Sequence, residues 1–216
     1  MSTSTAPSYV FKYFALSGLG ETSRLLLTMA NVEWIEENPE WPQEKSSQPF
    51  GRLPVLIEKN PDGDFVLSES GTIERYLARK YKLIPEDLKE AARQEQLRDQ
   101  MFDVITNYSM AKTGDKEAKT RHDELVKKLK EVLANALKNN GSNGRFLGDK
   151  LTYIDLYIYS FFKFLIPHTK TDAPQFADDF VGLITPDVAK LIATVREEPR
   201  LQACLAEDNK HFSFLN

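Results

Sequence analysis

Two hydrophobic rhythms divide the chain. Up to about residue 82, apolar positions come in short runs between turn residues. Beyond it they recur every three or four positions. Tyr9 to Phe14 (YVFKYF) is aromatic and β-branched, which predicts a strand. Ser17-Gly-Leu-Gly is a turn, and Glu21 to Ala30 is a helix with Leu25, Leu26 and Met29 inward. Val32 to Glu36 alternates apolar and acidic residues, as a half-buried strand does. Asn38 to Gln48 is a polar loop holding Pro39, Trp41 and Pro42, with room for one short helical turn. Leu53 to Ile57 and Phe65 to Leu67 are strands flanking an Asn60-Pro-Asp-Gly63 turn, and a helix runs from about Ser70 to Lys80. The order β-α-β-loop-β-β-α implies a right-handed crossover with a parallel pair, then an antiparallel hairpin.

After Tyr81 no segment reads as a strand. Lys89 to Lys112 carries Leu97, Met101, Val104, Ile105 and Tyr108 at helical spacing, and Lys119 to Asn139 carries Leu125, Leu129, Val132, Leu133 and Leu137. A third helix opens at Thr152 and is apolar nearly all round to Ile166, so it should be central, with Asp155 as its structural cap. Shorter helices are predicted over Gln175 to Val181, Pro186 to Glu197 and Pro199 to Ala206. The division is therefore an α/β domain over 1–82, a linker over 83–88 and an all-helical domain over 89–216.

Composition adds limits. With 216 residues the chain can bury a sizeable core, and a net charge of -4 argues against a nucleic-acid partner. A single cysteine, Cys204, excludes an internal disulfide framework and fits a reducing compartment; its helical context reads as a buried thiol. The N-terminus has neither a basic start nor an apolar run, and Tyr153 to Ile166 is too short and too polar to span a bilayer. A cytoplasmic location, without membrane contact, is expected. His122, His168 and His211 are scattered without metal-ligand spacing, so no metal is expected.

The chemistry concentrates between Pro49 and Ser70. Pro54 cannot donate a ladder hydrogen bond and belongs at a strand's first residue, leaving the backbone of Leu53 free to pair elsewhere. Ser70 heads a helix whose start presents unpaired N–H groups and partial positive charge. Such a hairpin suits an extended peptide ending in a carboxylate.

In order and spacing, several pieces resemble the cytosolic glutathione transferases. They are Lys12-Tyr13-Phe14, the Gly-x-x-Glu-x-x-Arg run from Gly18 to Arg24, Trp41-Pro-Gln-Glu-Lys45, and Phe50-Gly-Arg-Leu-Pro54. To these are added Leu67-Ser-Glu69-Ser70 with the helix that follows, and Phe146-Leu-Gly-Asp-x-Leu-Thr152-x-x-Asp155. The pattern is most similar to the sigma class among the tyrosine-type classes. The resemblance implies a thioredoxin-like domain followed by a helical domain, glutathione as co-substrate, a small hydrophobic electrophile, a role in detoxification and a homodimer.

The resemblance also implies roles for particular residues. Tyr13 would stabilise the glutathione thiolate; Ser17 competes for that role because other classes use a serine nearby. Leu53, before a cis Pro54, would pair with the cysteinyl part. Ser70 would hold the γ-glutamyl carboxylate and Glu69 its ammonium group. Trp41 and Lys45 would reach the glycyl end, and Arg52, where the sigma pattern has glutamine, would assist a carboxylate or face solvent. Asp103 would cross a dimer interface, with Asp99 as its substitute, and Phe50 and Arg75 are candidate dimer contacts. Phe14, Leu19, Met110 and Phe214 would line the electrophile site, although core packing is the simpler role for Met110. Leu19 stands where the family often has an arginine that helps the thiolate. The same motifs leave room for a glutathione-dependent isomerase or peroxidase, or for a non-catalytic relative such as the lens crystallins.

Overall fold

The computed structural model of the chain describes residues 8–206. The fold divides between Leu83 and Ile84 into two compact units. The first holds β1 (Ser8–Lys12), α1 (Glu21–Met29), β2 (Trp34–Glu37), β3 (Val55–Lys59), β4 (Phe65–Ser68) and α2 (Ser70–Lys80). The strands form one mixed sheet in the order β2-β1-β3-β4. β1 runs parallel to β2 and antiparallel to β3, and β3 pairs antiparallel with β4. This is the thioredoxin-like arrangement expected above, carried by a crossover helix and the Asn60–Gly63 turn. α1 buries Leu25, Leu26, Leu27 and Met29, and α2 buries Ile73, Leu77 and Ala78.

β2 starts at Trp34 instead of Val32, and two other strand boundaries move for physical reasons. β1 ends at Lys12 instead of Phe14 because the next carbonyls turn elsewhere. Phe14 O accepts from Leu16 N at 2.7 Å and from Arg24 Nη2 at 3.0 Å. Tyr13 is thus the first residue past the strand, tied back by its own N–H to Glu37 O at 3.2 Å. β3 begins at Val55 instead of Leu53, after the proline that has no N–H to give.

The second unit holds α3 (Leu88–Ala111), α4 (Lys116–Asn139), α5 (Tyr153–Asp172), α6 (Ala177–Val181), α7 (Pro186–Arg196) and α8 (Gln202–Leu205). No strand occurs there among the described residues. Asp87 caps α3 by accepting from Lys89 N and Glu90 N, and Asp115 caps α4 by accepting from Ala118 N. α5 is the core: Ile154, Leu156, Ile158, Phe162 and Leu165 are buried, each contributing roughly 1.5–3 kcal/mol. It packs on α3, α6 and α7. It also runs through Pro167 to Asp172, beyond the expected end at Ile166, held by the buried side chains of Leu165, Ile166 and Thr169. Asp155 accepts from Thr152 N at 2.8 Å, Thr152 Oγ1 at 2.9 Å and Phe146 N at 2.7 Å. Cys204 corrects an expectation. It is exposed, because Leu201 and Leu205 take the buried face of that short helix.

Candidate active site

Strand register gathers the candidate residues at one end of the sheet. Lys12 stands opposite both Glu37 and Val55, and Val55 opposite Ser68. Residues 13, 54 and 69 therefore lie one step beyond the same row. The loop carrying Trp41 and Lys45 leaves β2 at that end, and α2 begins there with Ser70.

Tyr13 is 6% exposed. Its hydroxyl oxygen accepts from the backbone N–H of Leu19 at 2.9 Å. The ring lies on a glycine turn. A Cβ on Gly20 would fall 2.5 Å from Tyr13 Cδ1, and one on Gly18 would fall 2.6 Å from its hydroxyl oxygen. Gly18 also has φ +42°, a conformation that favours glycine. Burial pushes the Tyr13 hydroxyl above the usual phenol range, while the Leu19 N–H and the Arg24 charge pull it partway back. Tyr13 therefore remains a neutral hydroxyl at physiological pH. Its oxygen is already engaged as an acceptor, so its proton is what it can offer a ligand. The hydroxyl of Ser17, the competing candidate, makes no cap hydrogen bond, and its carbonyl accepts from Arg24 Nη1 at 3.3 Å.

Arg24 is the residue for which the sequence reading gave no role. Its guanidinium grips Glu36 in a fork, Nε to Oε2 at 2.8 Å and Nη2 to Oε1 at 2.6 Å. Nη1 also donates to Leu16 O at 2.8 Å and to Glu21 Oε2 at 3.2 Å. Its charge centre lies 5.5 Å from the Tyr13 ring centroid. Arg24 thus pins the strand-to-helix loop that supplies both Tyr13 and Leu19. The signal was present in the Gly18-x-x-Glu21-x-x-Arg24 run, which puts Glu21 and Arg24 on one helix face.

The holding side lies across the same end. The Leu53–Pro54 peptide is cis, as the resemblance implied. Neither the N–H nor the C=O of Leu53 has a backbone partner among the described residues. Glu69 takes φ 72° and ψ 117°, a conformation that costs a non-glycine residue about 1–3 kcal/mol and clusters at ligand sites. Ser70 is buried as the first residue of α2. Arg52 Nη2 lies 3.8 Å from Glu69 Oε1, a loose exposed pair that leaves both ends available to a zwitterion. Lys45 is exposed, its side-chain carbons 3.8 Å from where a Gly51 Cβ would stand. The Trp41 ring meets Phe14 edge-on, centroids 5.5 Å apart.

Phe14 and Leu19 are half-buried beside Tyr13. Asp103 is exposed on α3, and Asp99 pairs with Arg98 at 3.5 Å. Met110 is 47% exposed, so its role is not core packing. Phe214 lies outside the described residues. Phe50 is 65% exposed. The fold also gives His122 a carboxylate neighbour in Asp179, 57 residues away, which local spacing could not reveal.

Residues 9–79 match the sequence model of the glutathione S-transferase N-terminal domain, and residues 95–208 match that of its C-terminal domain. Among curated proteins, the chain is 35% identical to a probable glutathione S-transferase 6 of Caenorhabditis elegans over 69% of this chain and 76% of that protein. It is 31% identical to the hematopoietic prostaglandin D synthase of Gallus gallus over 70% of this chain and 76% of that protein. Among solved structures, the sigma class transferase of Fasciola hepatica aligns with a TM-score of 0.71 at 25% identity. That alignment covers 94% of this chain and 97% of the other.

Proposed function

Since the chain belongs to the glutathione S-transferase family, we propose that it conjugates the thiolate of glutathione to small hydrophobic electrophiles, with Tyr13 as the activating group. The observation that carries this reading is the Leu19 N–H bonded to the Tyr13 oxygen at 2.9 Å. A thiol of pKa near 8.5 is only a few per cent ionised at neutral pH. Lowering that pKa by about two units takes roughly 2.7 kcal/mol of selective thiolate stabilisation. A buried hydroxyl polarised from behind by an N–H, donating to sulfur in a poorly solvated site, supplies a term of that size. The thiol proton passes to solvent. The sulfur electron pair then forms the bond to the electrophilic carbon, and the leaving group departs.

The remaining roles follow from position. Leu53 offers its backbone to the cysteinyl part. Ser70, at the start of α2, takes the γ-glutamyl carboxylate and Glu69 the ammonium group. Lys45 and Trp41 face the glycyl end, and Arg52, 3.8 Å from Glu69, assists the γ-glutamyl carboxylate. Phe14 and Leu19 supply an apolar wall beside the reacting hydroxyl. Leu19 provides no cation, but its backbone N–H acts on Tyr13 whatever side chain stands there. The chain acts as a homodimer in the cytoplasm, with Asp103 reaching the neighbouring site and the exposed Phe50 as a contact. Detoxification is the corresponding physiological role.

A second reading keeps the same thiolate but uses it for isomerisation, and the likeness to a prostaglandin D synthase supports it. Retention on immobilised glutathione, followed by assays with chlorodinitrobenzene, a hydroperoxide and a prostaglandin endoperoxide, separates the readings. Turnover of the chloroarene supports the transferase. Turnover of the endoperoxide alone supports the isomerase, and retention without any turnover marks a binding protein.

A further inference from the structure

His122 on α4 is fully buried, yet its Nε2 lies 3.3 Å from Oδ2 of Asp179 on α6. Its other nitrogen, Nδ1, is buried without a partner. The ring is walled by Tyr108, Phe176 and Phe180, with centroids 6.1, 5.3 and 5.5 Å away. Against aromatic rings an N–H is tolerated better than a bare lone pair, because ring faces are negative. Nδ1 can therefore carry the ring proton when Nε2 is given to a ligand. Nε2 can then give up its hydrogen bond to Asp179 and present a lone pair 3.3 Å from a carboxylate oxygen, a donor pair suited to a cation.

Asp123, the next residue on α4, completes a set. One donor atom each from His122, Asp123 and Asp179 lies within 4.8 Å of the others. We propose that these three residues bind a divalent transition-metal ion, best matched by zinc, which ties α4 to α6. Tetrahedral bonds of about 2.0–2.1 Å place donor atoms about 3.3–3.4 Å apart, so the His122–Asp179 edge already has the required length. Asp123 is exposed and can close the remaining distance by rotation. One imidazole nitrogen with two carboxylate oxygens suits zinc or cobalt better than calcium or magnesium, which take oxygen shells. Water completes the fourth position. The competing cation is Lys119, whose Nζ lies 2.5 and 2.6 Å from the two Asp123 oxygens. Nζ also lies 5.4 Å from the Phe176 ring centroid, which gives the ammonium a second seat once metal takes the carboxylate.

The test uses the full chain carrying Cys204→Ser, stripped with chelator and kept free of glutathione, so that no thiol competes. Cobalt is titrated by its visible absorption, then displaced with zinc. One saturable equivalent is expected. Asp179→Asn and Asp123→Asn should each weaken it about tenfold or more, whereas Lys119→Ala should tighten it several-fold. Zinc should raise the Tm of the parent protein and leave that of Asp179→Asn unchanged. Absence of saturable binding below millimolar cobalt overturns the assignment, as does an affinity unchanged in both aspartate variants.

Discussion

The Tyr13 hydroxyl and the Leu19 backbone N–H are joined by a 2.9 Å hydrogen bond. The donor is backbone, so the bond survives any non-proline side chain at position 19. Leu19→Ala should therefore keep the bound-thiol pKa within about 0.3 units of the parent, since 0.5–1 unit is what one ordinary hydrogen bond is worth. Any loss should appear in KM for apolar electrophiles. A pKa rise of a full unit in Leu19→Ala argues that the side chain, not the backbone, sets the hydroxyl.

The glycine turn under the ring is the second dependence. Gly20→Ala puts a methyl 2.5 Å from Tyr13 Cδ1, so the ring must move. Overpacking of this kind costs about 1–3 kcal/mol of stability. The displacement should lower kcat at least tenfold, because reacting groups tolerate little misplacement. Thermal unfolding and steady-state kinetics on the same sample check both halves, and wild-type kcat in Gly20→Ala contradicts the placement.

Arg24 is a positioning residue, with no part in touching the ligand. Arg24→Ala removes the fork on Glu36 and one partner of Glu21, and releases three loop carbonyls. Breaking a half-buried pair of this kind should cost about 2–4 kcal/mol. Arg24→Lys keeps the charge but loses the fork, so it should restore only part of the stability. If the charge alone mattered, the lysine variant would restore kcat fully.

Asp155 accepts from three donors, yet burial pushes its carboxyl up to about 6. An acid whose folded pKa lies above its unfolded value near 3.9 binds a proton on folding. Its contribution to stability is therefore fully present below about pH 4 and is lost as pH rises to about 6. Denaturant titrations across that window should show the decline, and Asp155→Asn should flatten it. At pH 7, Asp155→Ala should cost about 2–4 kcal/mol through two unpaired N–H groups. A parallel pH dependence in the asparagine variant would assign the titration to another group.

Much of the first unit was legible because its signals are local. Pro54 marks a strand entry, Asn60–Gly63 marks a hairpin, and Ser70 marks a helix start. The grouping of Tyr13, Pro54 and Glu69 was not local. It follows from the register of Lys12 against Val55 and of Val55 against Ser68, which only the folded sheet fixes. The end of β1 was misjudged because its aromatic pattern continues to Phe14, while Arg24, ten residues on, captures the Phe14 carbonyl. The end of α5 was misjudged because Pro167 reads as a stop, and tertiary packing carries the helix past it. Glu69 was found by motif, but its left-handed backbone is a property of the turn that no side-chain pattern displays. His122 and Asp179 meet by helix packing across 57 residues, beyond any spacing rule.

The central claim is that the Tyr13 hydroxyl lowers the pKa of the bound thiol. Ultraviolet thiolate absorption of the glutathione complex, titrated over pH, reads that pKa directly. The parent protein should titrate about two units below the free thiol, near 6.5, and Tyr13→Phe near 8.5 with glutathione still bound. Conjugation at neutral pH should fall about 25-fold in parallel, as the thiolate fraction drops from about three-quarters to about 3%. A thiol pKa that stays low in Tyr13→Phe and rises instead in Ser17→Ala would contradict the account.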